Sequence, residues 1–171
     1  QQVARAIADH ALRGTDLAAR YGGEEFVLLF AETDAAAAAA LADAGAEVTL
    51  VARSAEEIEA GAAAIAEKFG GRGAVAATLD VSDLSAVAAF FAERPAFHIL
   101  VNNAGTNRPK PMWDADEADY DAVMDLNLKS AFFVAQACVR QMLAEKVTGS
   151  LIHMSSQMGH VGGPNRSLYC A

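Results

Sequence analysis

Between Glu47 and Ser155 the chain alternates short apolar runs of strand composition with helical stretches, and that alternation leaves few folds open. The run Glu47–Ala52 is β-rich. Ser54-Ala55-Glu56-Glu57 has the form of a capping box, opening a helix that closes before Gly70-Gly71. Residues Ala74–Val81 make the next strand, Ser82 caps the following helix, and Phe97–Asn102 is a third strand. Asp114-Ala115-Asp116-Glu117 then caps a long helix reaching about Ala144, and Gly149–Ser155 is the last strand. Strands and helices alternating at this spacing are joined by right-handed crossovers into a parallel sheet, so the fold class is α/β.

Upstream, Phe26–Phe30 has the length and apolarity of a buried parallel strand, and Thr33 or Asp34 is placed to cap an alanine-rich helix. A chain of 171 residues buries one domain-sized core and is too short for two complete domains. Its formal charge of −9, without a Lys/Arg cluster, excludes nucleic acid and anionic membrane as partners. The longest unpunctuated apolar run, Ala35–Ala42, is about half of what a bilayer-spanning helix needs. Gln1-Gln2-Val3-Ala4-Arg5 has no initiator Met and no signal-peptide pattern, and reads as the interior of a longer chain. Cys138 and Cys170 show neither ligand spacing nor a disulfide framework, which points to a reducing, cytoplasmic location. His10, His98, His153 and His160 form no ligand pattern, so no metal site is expected.

The residues that carry chemistry gather in the second half. Asn102-Asn103-Ala104-Gly105 follows an apolar strand, Asn127 lies in the long predicted helix, and Ser155-Ser156-Gln157-Met158-Gly159 precedes Tyr169, which stands thirteen residues after Ser156. Taken singly, a serine pair at a strand end is a turn or a helix cap, a tyrosine is core or surface, and an asparagine in a helix is a kink. Taken together, at this spacing, they resemble the short-chain dehydrogenase/reductase family, and the resemblance runs from about Leu41 to the end.

That resemblance implies a Rossmann-like doubly wound parallel sheet in the order 3-2-1-4-5. It also implies hydride transfer between NADP (or NAD) and a small-molecule alcohol or ketone, of the sugar-acid or 3-oxoacyl type. Tyr169 would exchange a proton with the substrate oxygen, Ser156 would hydrogen-bond that oxygen, and Asn127 would hold a water in the proton relay. Asn102, Ala104 and Gly105 would contact the cofactor, and Asp80 with Val81 would lie near its adenine. Arg53 and Ser54, a cation and a hydroxyl closing the second strand without a carboxylate, favour NADP over NAD. The helix from Asp116 to Ala144 corresponds to one that forms a subunit interface in the family, so a homo-oligomer is implied for the intact enzyme.

The chain departs from the family pattern in two places. Counted back from Leu41-Ala42-Asp43-Ala44-Gly45, the three glycines of the phosphate-binding turn fall at Leu28, Glu32 and Asp34. The lysine that follows the family's tyrosine falls at position 173, beyond Ala171. The sheet is therefore expected to be truncated, with a borrowed first strand at its centre, marginal stability and no activity as a fragment.

Residues 1–34 carry a different resemblance. Arg20-Tyr21-Gly22-Gly23-Glu24-Glu25-Phe26 is similar to the GGDEF hairpin of diguanylate cyclases, with Arg13 and Asp16 at the spacing of their inhibitory cyclic di-GMP site. The expected division is a partial GGDEF-like segment over 1–34 and a dehydrogenase domain over 35–171, joined at the six alanines Ala35–Ala40. A signalling remnant that binds cyclic di-GMP through Arg13 and Asp16 is the alternative reading.

Overall fold

A computed structural model describes residues 25–29, 42, 46–68 and 74–171. Arg13, Asp16, Gly22, Gly23, Glu24, Glu32, Asp34 and the alanine run 35–40 lie outside the described residues, and so does the join placed within that run.

Five parallel strands form one sheet: β1 (Glu25–Leu29), β2 (Glu47–Ala52), β3 (Ala74–Thr78), β4 (Ile99–Asn102) and β5 (Ser150–His153). Their order is β3-β2-β1-β4-β5, the doubly wound arrangement expected from the alternation and the resemblance. In β1, Leu28 is aligned with Leu50 of β2 on one side and with Val101 of β4 on the other. It is therefore inside a strand, although the count from Leu41 put it at the first turn glycine. Both edges of β1 carry parallel neighbours, so this strand has no free edge for the antiparallel partner a GGDEF hairpin requires.

The strands pack two layers because their side chains alternate between faces. Val48 and Leu50 of β2, with Ile99 of β4, meet Ile58, Ala62 and Ile65 of α1 (Ala55–Lys68). Val51 and Leu100 point to the opposite face and meet α2 (Leu84–Ala92) and a later helix, α4 (Ala131–Glu145), through Val87, Phe90, Phe91, Val134, Cys138 and Met142. Leu100 and Cys138 are fully buried, at 0% exposure. Burial pushes the Cys138 thiol up to about 11, so it packs as a small apolar group rather than as a nucleophile. Phe90, Phe91 and Phe97 stack and cross edge to face at centroid distances of 5.4–6.2 Å. Gln141 closes the end of α2 from outside, its Nε2 donating to the carbonyls of Phe91 and Arg94.

Several boundaries differ from the sequence expectation. β3 ends at Thr78, and the cap of α2 is Asp83, whose carboxylate accepts from the backbone of Ser85 and Ala86, while Ser82 turns back to Asp80. β4 begins later than expected, at Ile99, and β5 is shorter than expected at both ends, Ser150–His153. The long helix begins one turn later than Asp114, which instead ends a 3₁₀ turn, Met112–Asp114. Asp116 is the cap, in a reciprocal box with Asp119, and α3 runs Glu117–Met124. A π turn, Asp125–Ser130, then separates α3 from α4.

The combined run Glu117–Glu145 is long and apolar enough, by length and composition, to cross a membrane, although charged residues interrupt it. Of its apolar residues, Val123, Val134, Ala135, Cys138 and Met142 are buried, whereas Tyr120, Leu128, Phe132 and Leu143 are exposed.

Candidate functional site

In a doubly wound sheet, ligands enter at the carboxyl ends of the strands where the order reverses, here between β1 and β4. One wall of that crevice follows β2 and β3. The Leu79 amide donates to the Ala52 carbonyl at 3.0 Å, and this holds the two strand ends together. Arg53 and Ser54 are both exposed there. Asp80 is exposed too, and its Oδ1 accepts from the Ser82 hydroxyl at 2.6 Å and the Ser82 amide at 2.9 Å. Those two bonds, with a smaller contribution from the field of Arg53, hold the Asp80 carboxyl below its usual range. Val81 faces the other way. It is buried among Leu79, Val87 and the phenylalanines, so its side chain is core and not part of the crevice.

The opposite wall follows β4. Asn102 is buried, and its Nδ2 donates to the Ala131 carbonyl at 2.7 Å, fixing the start of α4 to the strand end. Its own carbonyl accepts from the Met154 amide at 2.9 Å. The Asn102 side chain is thus engaged inside the fold, and the cofactor contact that the resemblance implies for this stretch is one of backbone, not of that side chain. Ala104 packs onto the core, and Gly105 is exposed.

The next residue, Thr106, is where the site is built. Its amide donates to Asn127 Oδ1 at 2.7 Å and its carbonyl accepts from Asn127 Nδ2 at 2.9 Å. Both ends of the Asn127 amide are therefore used on the backbone of one residue, as a backbone partner in a sheet would use them. Asn127 lies in the π turn, and a helix that takes one extra residue re-aims its side chains at that point. Ser130 contributes to the distortion by returning its hydroxyl to the Leu126 carbonyl at 2.5 Å. A Cβ on Gly105 would lie 3.4 Å from Asn127 Oδ1, at the limit of ordinary contact.

Ser156 caps the 3₁₀ turn Gln157–Gly159 by accepting from the Met158 amide at 3.2 Å. The bland reading of this serine is realised, yet it uses only a lone pair. The hydroxyl proton stays available to donate. Tyr169 lies half-buried on α5 (Ser167–Cys170), which packs against that same turn and against α3. Ser156 and Tyr169 are thus carried on neighbouring elements, and Asn127 on the π turn that follows α3. Sequence reasoning missed Thr106, the partner of Asn127, because a backbone partner leaves no residue-type signal.

A family profile described as short chain dehydrogenase matches residues 34–171, a span that begins downstream of β1. The chain is 37% identical over 105 residues to the 2-dehydro-3-deoxy-D-gluconate 5-dehydrogenase of Dickeya dadantii, covering 59% of this chain and 42% of that protein. It is 33% identical over 135 residues to the gluconate 5-dehydrogenase of Gluconobacter oxydans, covering 77% of this chain and 52% of that protein. The chain thus spans about half the length of the curated relatives it matches. Among solved structures, a metagenomic short-chain oxidoreductase in complex with NADP superimposes with a TM-score of 0.77 at 30% identity, covering 86% of this chain and 68% of that one.

Proposed function

The chain belongs to the short chain dehydrogenase family, and on that premise we propose that it contributes the cofactor crevice and the proton-transfer side chains of an NADP- or NAD-dependent oxidoreductase. The substrate class is an alcohol or ketone of the sugar-acid or 3-oxoacyl type, as the names of the relatives suggest. The observation that carries the reading is the double hydrogen bond of Asn127 to Thr106, which fixes the backbone beside Gly105 at the sheet's reversal point.

The residues present fit a dinucleotide. Arg53 and Ser54 offer a cation and a hydroxyl with no carboxylate at the close of β2, and Gly105 bares its backbone on the opposite wall. The cofactor, when bound, supplies the hydride acceptor or donor. Everything else falls to the chain. Ser156 donates its hydroxyl proton to the substrate oxygen and stabilises charge developing there, while Tyr169 gives or takes the proton on that oxygen. Asn127 sets the loop that carries Gly105 and Thr106. Asp80 tempers Arg53, because the two lie at adjoining strand ends and attract each other. This arrangement favours NADP while leaving NAD accessible. A cytoplasmic location is part of the proposal.

Titration of the chain with NADPH and NADH, followed by reduced-nicotinamide fluorescence, tests this. Arg53→Ala should weaken NADPH by about tenfold, the value of a charge-assisted bond, and leave NADH within about twofold. If neither cofactor gives a saturable signal with the native chain, the proposal fails.

A homo-oligomer is also proposed. Phe132 and Leu143 stand 60% and 74% exposed on one stripe of α4, with Val139 between them, and Tyr120 and Leu128 are exposed nearby on α3 and the π turn. A second copy meeting this face would bury them. Sedimentation equilibrium should show an oligomer that Phe132→Asp returns to monomer, and a native chain that is monomeric throughout contradicts it.

A further inference from the structure

We propose that Lys110 is a positioning residue for the segment that carries Tyr169, resting on the reading of Tyr169 as the proton-transfer group. Lys110 lies between Pro109 and Pro111, so its amide is the one backbone N–H of that tripeptide. That amide donates to the Asn165 carbonyl at 2.9 Å, and Lys110 and Arg166 form an isolated parallel bridge. Asn165 sits in the left-handed region at φ 60°, a conformation asparagine tolerates better than most residues. Arg166 flanks α5, and its carbonyl accepts the Cys170 amide at 2.9 Å across Tyr169. The turn preceding Tyr169 is therefore pinned by the backbone of Lys110.

The side chain pins the other end. Lys110 Nζ is hydrogen-bonded to Asp119 and lies 3.7 Å from Asp116, the two residues of the capping box that opens α3. A cation at a helix N-terminus opposes the helix dipole, and here two carboxylates offset it. One residue thus joins the loop after β4, the start of α3 and the turn into α5.

The magnitude decides what this joint does. The Lys110 side chain is 40% exposed, and ion pairs of that kind contribute little to global stability. The tie is too weak to hold the fold and well placed to set one segment. It also holds across neutral pH. The hydrogen bond between them lowers the Asp119 carboxyl and raises the Lys110 ammonium. The Asp119 contribution is therefore present above the usual carboxylate range and lost as pH falls through its lowered value. The Lys110 contribution is present below the usual lysine range and lost as pH rises through its raised value.

Lys110→Met alone would leave the buried Asp119 without its cation, so the informative variant is the double, Lys110→Met with Asp119→Asn. Amide hydrogen exchange should show Arg166 and Cys170 exchanging at least about tenfold faster in the double variant at neutral pH, from a weakly protected local opening. Leu100 and Val87 should stay within about twofold, and Lys110→Arg should remain near native. Uniform acceleration at all four amides would reduce Lys110 to a stability residue, and unchanged exchange at Arg166 and Cys170 would remove it as a positioner. Either result overturns the inference. The measurement uses neither cofactor nor substrate, so it is decided separately from the NADPH titration on which the oxidoreductase reading stands.

Discussion

Gly149→Ala is expected to cost at least about 3 kcal/mol, the upper range for forcing an added carbon into a packed site. A Cβ at that position would lie 2.3 Å from the His98 carbonyl oxygen and 2.5 Å from Met142 Cε. The methionine is flexible and can swing aside. The carbonyl cannot, because it accepts the Ser150 amide at 2.8 Å at the point where β5 begins to pair with β4. Relief therefore requires the two strands to part at their first register pair, Ile99 with Ser150. Urea denaturation should show the loss, and adding Met142→Ala should not restore it. A rescue by that second change would place the conflict in the side chain and not in the sheet. Glycine is needed here for close backbone approach, not for an unusual turn.

That position illustrates what the sequence discloses and what it hides. The strands β2 and β4 were legible because apolar residues come in short runs bounded by Gly, Ser or Asn, and the parallel order followed from their alternation with helices. Asp83 and Asp116 were misplaced by a residue or two because several consecutive residues, Ser82-Asp83 or Asp114-Ala115-Asp116, satisfy the capping pattern, and only the geometry of the amide three residues on selects one. The π turn at Asp125–Ser130 was hidden for another reason. It coincides with the hydrogen bonds between Thr106 and Asn127, residues 21 positions apart, which no local pattern discloses. Arg53, Ser54 and Asp80 stand at the strand ends where the motif reading put them, whereas Val81 and Asn102 turn inward. A residue-by-residue match cannot distinguish a side chain that faces the crevice from its neighbour on the same strand end that faces the core. The gathering of Ser156 and Tyr169 on adjoining elements depended on their joint spacing, and Lys110 was silent because its role is made half by backbone.

The Asn127–Thr106 clamp yields the other large effect, since it is the joint between the long helix and the cofactor wall. Asn127→Leu keeps the branched shape and the number of heavy atoms and removes the partners of both backbone groups of Thr106. Two unsatisfied groups should cost about 2 kcal/mol or more in stability. Freed from the clamp, the backbone beside Gly105 no longer presents one geometry, and NADPH affinity should fall by at least about tenfold. Asn127→Asp separates the two halves of the joint. Its carboxylate still accepts the Thr106 amide but faces the Thr106 carbonyl with a charge, where the native Nδ2 donates at 2.9 Å. Protonation converts that oxygen into a donor, so the neutral acid is favoured in the folded state and the carboxyl is raised above its unfolded value. The stability of Asn127→Asp relative to the native chain should therefore improve as pH falls through the raised value, while Asn127→Leu shows no such recovery. Parallel denaturation of the two variants from about pH 7 to about pH 4 reads this directly, across the range in which a carboxyl protonates. If both variants track each other over that range, the second hydrogen bond contributes nothing, and Asn127 holds the loop through the Thr106 amide alone.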